Sequence, residues 1–219
     1  MTFSIVARDP ETGAFGVATA TGGPVVGSLV PHAAAGVGAI ATQCYTNAFY
    51  AFDGLALLAD PELAASAVLP RLLARDAGRD RRQCIMVDRE GRTATWTGLA
   101  CRPHADALAE PGVAVAGNML STDAVLGAML DAFRQAPGEL GDRLLAALLA
   151  GEGAGGDERG IRSAALKVYT TEPYPALDLR ADWSTRPLEE LTAILEAVRA
   201  PDYAEFFAGI PRRAEPPQG

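Results

Sequence analysis

Thr2 is the residue whose type and place could do chemistry. Once Met1 is removed, it presents a hydroxyl and a free amine on one carbon skeleton. These are a nucleophile and a candidate general base, the N-terminal threonine arrangement. An α-amine with a pKa of about 7.7–8.0 suits the base role, whereas a side-chain amine near 10.4 would first need strong depression. Removal of Met1 is expected, because Thr is small enough for methionine aminopeptidase, and no internal cleavage is required. Other nucleophiles remain open: Ser4, Ser28 and Cys44. His32 and His104 are the only histidines, which excludes a multi-His zinc site and leaves a Ser-His-Asp triad little to draw on. His32 follows Pro31 and is expected as a surface imidazole in a loop. The cysteines Cys44, Cys84 and Cys101 have no C-x-x-C spacing and are expected as reduced thiols, Cys44 either buried or lining a pocket. No cofactor and no metal is expected.

A nucleophile at the chain's start needs its strand held. Residues 2–7 and 15–21 read as a strand pair around the turn Asp9-Pro10-Glu11-Thr12-Gly13. Short strands are expected at 25–30, ending at Pro31, and at 36–43. Helices follow, one capped by Asn47 and running to Leu58, one capped by Asp60 with Pro61 at its first position and Pro70 inside. Tyr45, Tyr50 and Phe52 are expected to pack around the first of them. Strands 83–88, 92–98 and 112–116 precede helices 122–135 and 139–150. Strands 163–170 and 177–182 come next, with Trp96 and Trp183 expected in sheets. Pro187 opens a last amphipathic helix bearing Leu188, Leu191, Leu195 and Val198 on one face. Gly151-Glu152-Gly153-Ala154-Gly155-Gly156 spells G-x-G-x-x-G, but a helix precedes it and a strand follows, the reverse of a dinucleotide site. Strand runs alternate with helix pairs, which indicates a layered α+β domain. A single domain over residues 1–210 and a loose tail over 211–219 are expected.

Composition excludes several classes. The 219 residues are 49% hydrophobic and 21% charged, an ordinary globular profile, with a net charge of −8. That charge argues against a nucleic-acid partner. No apolar run approaches the ~20 residues of a membrane span, and the first residues lack the pattern of a signal peptide. A cytoplasmic protein with no membrane partner is expected.

Four ordered stretches carry a family resemblance. They are Met1-Thr2-Phe3-Ser4-Ile5-Val6-Ala7-Arg8-Asp9-Pro10-Glu11-Thr12-Gly13, residues 35–43 (AGVGAIATQ), residues 116–120 (AGNML), and residues 155–160 (GGDERG) followed by 163–166 (SAAL). Together they resemble the DUF1028 family, which is grouped with the Ntn (N-terminal nucleophile) hydrolases. The resemblance implies a four-layer αββα sandwich, two central and mostly antiparallel sheets covered by helix pairs. It also implies an amidohydrolase cleaving the C–N bond of a small acyl-amine, peptide or N-acyl amino acid, although the Ntn fold has catalytically silent members that would bind a ligand or serve assembly. A homo-oligomer is expected from the same grouping.

The resemblance also assigns roles. Asp157, Arg159 and Ser163 would lie near the nucleophile's amine. There Asp157 could hold the ammonium or orient a water, Ser163 could complete the hydrogen bonds, and Arg159 could neutralise Asp157 or bind a substrate carboxylate. The alternative is a structural Asp157–Arg159 pair in a glycine-rich turn. Asn118, between a strand and a helix, is either a donor to the oxyanion or a turn residue beside Ser121. Gln43 is either a substrate-binding amide or an ordinary sheet-edge one. Lys167, the only lysine, falls in a late strand, away from the segment where proteasome-like enzymes keep theirs. The α-amine of Thr2 is left as the base. Arg159 and Arg162 hint at an acidic group on the substrate.

Overall fold

Strand β1 (Thr2–Arg8) buries side chains on both faces, and that places it in the middle of a sheet. The computed structural model describes residues 2–101 and 104–213. Met1 and most of the expected tail, residues 214–219, lie outside them. β1 pairs antiparallel with β2 (Phe15–Thr21) on one side and with β8 (Val113–Asn118) on the other. The full sheet has six strands in the order β10-β9-β2-β1-β8-β7, with β7 at Asp106–Glu110, β9 at Ser163–Tyr169 and β10 at Leu177–Ala181. A second sheet has the order β3-β4-β5-β6: Pro31–Ala34, Gly38–Cys44, Arg82–Asp88 and Thr93–Thr97.

The period of two sorts the side chains into three cores. Phe3, Ile5 and Ala7 of β1 face outward, onto α3 (Ala124–Gln135), α4 (Leu140–Gly153) and α5 (Pro187–Arg199). Ile40, Cys84 and Met86 of the second sheet pack against α1 (Phe49–Leu58) and α2 (Ala65–Ala74). Between the sheets lie Val6, Val17, Ala114 and Ala116 on one side and Ala39, Ala41, Ile85 and Val87 on the other. The protein is therefore the expected four-layer αββα sandwich. Its alanine-rich middle lets the two sheets approach closely.

Local differences from the sequence reading have physical causes. Residues 25–30 are not a strand: Val25 adopts a left-handed φ of 50° and opens a 3-10 turn over Val26–Ser28. Pro31 begins β3 instead of ending a strand, as an edge strand tolerates. His32 accordingly lies in β3, edge-on to Phe52 with ring centroids 5.1 Å apart. Asp60 does not cap α2, which starts five residues later at Ala65. There the Ala65 N–H is met by Asp88 Oδ2 of β5 at 2.9 Å, a cap supplied from another element. Asn47 accepts from the Phe49 N–H, but Ala48 holds the N-cap place. Pro70 does not stop α2. Tyr45 and Phe52 do not pack around α1; they are exposed, while Tyr50 is buried. Trp183 lies beyond β10 and is exposed. Besides β3 and the short 3-10 turns, the edge strand β7 and a terminal helix α6 (Pro201–Ala208), with no buried residue, escaped the sequence reading.

Candidate active site

Thr2 opens a row that crosses four strands. It is the register partner of Thr21 on β2 and of Asn118 on β8, and Thr21 in turn pairs with Ser163 on β9. Because Phe3 points to the helices, Thr2 points between the sheets. Thr2 is 8% exposed, and its hydroxyl donates to Thr21 Oγ1 at 3.2 Å. Its carbonyl oxygen accepts from Gln43 Nε2 at 3.1 Å and, more weakly, from Asn118 Nδ2 at 3.5 Å.

Beneath Thr2 lies a chain of buried amides whose direction follows from its fixed end. Gln83 meets the backbone oxygens of Gly117 at 2.9 Å and Asp106 at 3.1 Å. Those oxygens only accept, so the Gln83 NH₂ points at them and its Oε1 points back. That Oε1 accepts from Gln43 Nε2 at 2.7 Å and from Asn118 Nδ2 at 3.0 Å. Gln43 Nε2 also reaches Ala116 O at 3.3 Å, and Gln43 Oε1 accepts from Ser4 Oγ at 2.5 Å. Ser4 Oγ in turn stands 2.8 Å from Thr19 Oγ1. Ser4, Thr19, Gln43, Gln83 and Asn118 are all buried. In this low-dielectric layer every group has a partner, so the chain is rigid.

The other expected residues gather one residue further along. The Asp157 carboxylate is buried and accepts from the Gly22 N–H at 2.5 Å and the Arg159 N–H at 2.8 Å. The Arg159 guanidinium sits on it, with Nη2 3.1 Å from Oδ2. The Ser163 hydroxyl donates to Gly23 O at 2.7 Å and accepts from the Val26 N–H at 3.1 Å. Thus Thr2, Gln43 and Asn118 touch directly, whereas Asp157, Arg159 and Ser163 brace residues 22–26, the turn that leaves Thr21. Gln43 is no sheet-edge amide: β4 is an inner strand and Gln43 faces the other sheet. Lys167 lies four residues along β9 from Ser163, about 13 Å away at strand rise, and faces Asp178 at 3.4 Å.

Backbone strain concentrates here. Among the described residues, the non-glycine positions with positive φ are Val25, Cys44, His104 and Met119. Cys44 follows Gln43, Met119 follows Asn118, and Val25 precedes the N–H held by Ser163. Such strain persists only where surroundings over-determine it, and it clusters at functional sites. The Cys44 thiol is lowered to about 7, chiefly by the neighbouring Cys101. A cleft of about 550 Å³ is walled by Thr97, Cys101, His104 and Asp106. It abuts the amide chain, because Thr97 Oγ1 and Asp106 O take hydrogens of the Gln83 NH₂. No three His, Cys, Asp or Glu side chains come together as a metal site among the described residues.

Gln83, Ser4, Thr19 and Thr21 belong to the hydrogen-bonded cluster around Thr2, a place the sequence reading did not give them. A signal was present for the glutamines. Gln43 continues the inward series Ala39, Ala41, and Gln83 opens the inward series Ile85, Val87; each is a polar residue in an apolar phase.

The family described as "Family of unknown function (DUF1028)" matches residues 2–191. The chain belongs to that family. The DUF1028 protein SPO2555 from Silicibacter pomeroyi has a crystal structure that superposes with a TM-score of 0.90 at 33% identity, covering 97% of this chain and 96% of that one. Anbu (ancestral beta-subunit) from Yersinia bercovieri superposes with a TM-score of 0.42 at 13% identity, over 96% of this chain and 98% of that one. Anbu from Hyphomicrobium sp. strain MC1, a Gly-1 mutant, gives 0.36 at 12% identity, over 94% and 98%. No curated protein matches the chain.

Proposed function

We propose that this DUF1028 protein is an N-terminal-nucleophile amidohydrolase, with Thr2 as nucleophile after Met1 is removed. One observation carries the reading. The residue that could be both nucleophile and base stands on a central strand, turned between the sheets, with its carbonyl fixed by two side-chain amides. Thr2 Oγ attacks the carbonyl carbon of an amide while the Thr2 α-amine takes the hydroxyl proton. The tetrahedral oxyanion collapses, the amine passes that proton to the leaving nitrogen, and an acyl ester remains on Oγ. Water then attacks the ester carbonyl and gives a proton to the α-amine, which passes it to Oγ as the acyl group leaves as a carboxylic acid and the hydroxyl is restored.

Asn118 serves as oxyanion donor by exchanging its weaker bond, the 3.5 Å one to Thr2 O, while Gln83 keeps the other hydrogen. Gln43 positions Thr2 instead of binding substrate, since Thr2 O, Gln83 and Ser4 already take its amide. Asp157, Arg159 and Ser163 act by holding the 22–26 turn beside Thr21. The substrate class is a small acyl-amine, peptide or N-acyl amino acid.

Thr2→Ser and Thr2→Ala test this across a panel of amides, lactams and N-acyl amino acids. Thr2→Ser retains measurable turnover, and Thr2→Ala loses at least about 10³-fold. Intact mass is the second arm: retention of Met1 in every active preparation overturns the mechanism. One observation favours the other reading, a silent ligand-binding or assembly protein: Thr2 is only 8% exposed and its hydroxyl is already bonded to Thr21. In that case Thr2→Ala leaves ligand binding unchanged.

A further inference from the structure

Cys44 and Cys101 lie far apart in sequence, and the backbone brings them together by a short route. Cys44 ends β4 opposite Arg82. The Arg82 carbonyl accepts from the Gly98 N–H at 2.9 Å, and the Gly98 carbonyl accepts from the Cys101 N–H at 2.9 Å. That route makes the two residues neighbours, close enough for each thiol to perturb the other. Cys44 holds a left-handed φ of 70°, an uncommon conformation for a residue with a side chain. Cys101 borders the 550 Å³ cleft, which gives small molecules a route to the pair.

The two thiols are not equivalent. The neighbouring Cys101 lowers the Cys44 thiol, and the Arg82 guanidinium adds a smaller effect in the same direction. Cys44 is partly exposed, whereas Cys101 is buried at 2% exposure, so Cys44 is the thiol that an oxidant meets first. Cys84 is an internal control: it is wholly buried under α1 and α2, and burial pushes its thiol up to about 12. Reactivity follows thiolate character and access, which singles out Cys44.

We propose that Cys44 and Cys101 are an oxidisable pair, attacking and resolving, which a hydroperoxide closes into a disulfide beside the Thr2 row. The Cys44 thiolate attacks the peroxide O–O bond, forming sulfenic acid and releasing the second oxygen as hydroxide, which is protonated to water. Cys101 then attacks the sulfenic sulfur, gives up its proton, and displaces a second water as the S–S bond forms. Two thiols are oxidised and one hydrogen peroxide is reduced. The link would tie the end of β4, one residue past Gln43, to the segment after β6.

The reduced protein, treated with hydrogen peroxide and digested under alkylation, tests the pair without any enzymatic assay. The expected product is a peptide linking Cys44 to Cys101, an intact mass lower by about 2 units, and full recovery with dithiothreitol. Cys84 stays alkylatable, oxidising at least about tenfold more slowly than Cys44. In Cys101→Ser, Cys44 stops at the sulfenic acid and is captured by dimedone, while Cys84→Ser gives the same disulfide as the parent. Oxidation of Cys44 to sulfinic acid with Cys101 still alkylatable overturns the proposal. So do disulfides formed only between chains, or an unchanged product distribution in Cys101→Ser.

Discussion

Gln83 sets the direction of every side-chain amide under Thr2. Replacing it with Leu strands the Asn118 and Gln43 hydrogens together with the Gly117 and Asp106 oxygens. Each buried group left unmet costs about 1–3 kcal/mol, so Gln83→Leu is expected to lose at least about 3 kcal/mol in urea unfolding. Gln83→Glu, similar in size but with no hydrogens to donate to Gly117 and Asp106, is expected to lose a comparable amount. The place of Thr2 at the start of a strand was legible in the sequence, because residues 2–7 and 15–21 read as a strand pair around a turn. Gln83 was not. Its weight comes from a partner on the facing sheet, and nothing local to residues 82–88 announces which layer that strand will face. Asn118 was visible as a polar residue at a strand-to-helix corner, but the direction of its amide depends on Gln83 and cannot be read from its neighbours.

Elements here are joined by side chains reaching out of one into the end of another. Asp76 accepts from Arg82 Nε at 2.9 Å, from Asn47 Nδ2 at 3.1 Å and from the Gly78 N–H at 2.7 Å, tying the entry of β5 to the start of α1. The hydrogen bond from Arg82 is the main reason its carboxyl lies well below the usual carboxylate range. A folded-state pKa below the unfolded value of about 3.9 adds stability that is complete above that pH and fades as pH falls toward the depressed value. Asp76→Asn is therefore expected to cost on the order of 2 kcal/mol at pH 7, with the gap to the parent closing below about pH 4 in parallel urea titrations. Gly38 marks another junction, where a Cβ would stand 2.5 Å from the Val87 carbonyl oxygen. Gly38→Ala is expected to cost about 1–3 kcal/mol, read as a lower melting temperature. Helices α3, α4 and α5 were legible because their apolar stripes are long and their ends carry Pro or Gly. Strand β7, Asp-Ala-Leu-Ala-Glu on an exposed edge, has neither β-branched residues nor a buried face to betray it. The 25–30 segment misled because Val-Val and Leu-Val have strand propensity, while Ser163 and Asp182, remote in sequence, hold its backbone in a turn.

At the scale of the molecule, the alternation of strand blocks and helix pairs was enough to read a layered α+β domain, since each pair needs a sheet face to cover; the four layers came from the family resemblance. Strand order was not readable, because it depends on which edge β8 and β9 find. Helix α6 stands outside this plan. Its residues are exposed, and the segment after it is tied by Tyr174 Oη to Pro211 O at 2.8 Å and by the Arg213 N–H to Glu172 Oε1 at 3.2 Å. Ending the chain after Ala200 is expected to change unfolding stability by no more than about 1 kcal/mol. The strand order also sets a timetable for synthesis. β1 and β2 can pair as soon as both have left the ribosome, but the other edge of β1 belongs to β8, about 100 residues later. At ~5–20 residues per second that edge waits about 5–20 s for its partner. The row through Thr2 is complete only when Ser163 arrives, with roughly three quarters of the chain made. On the proposed reading, the aminopeptidase has that interval to remove Met1, before the sheet closes around Thr2.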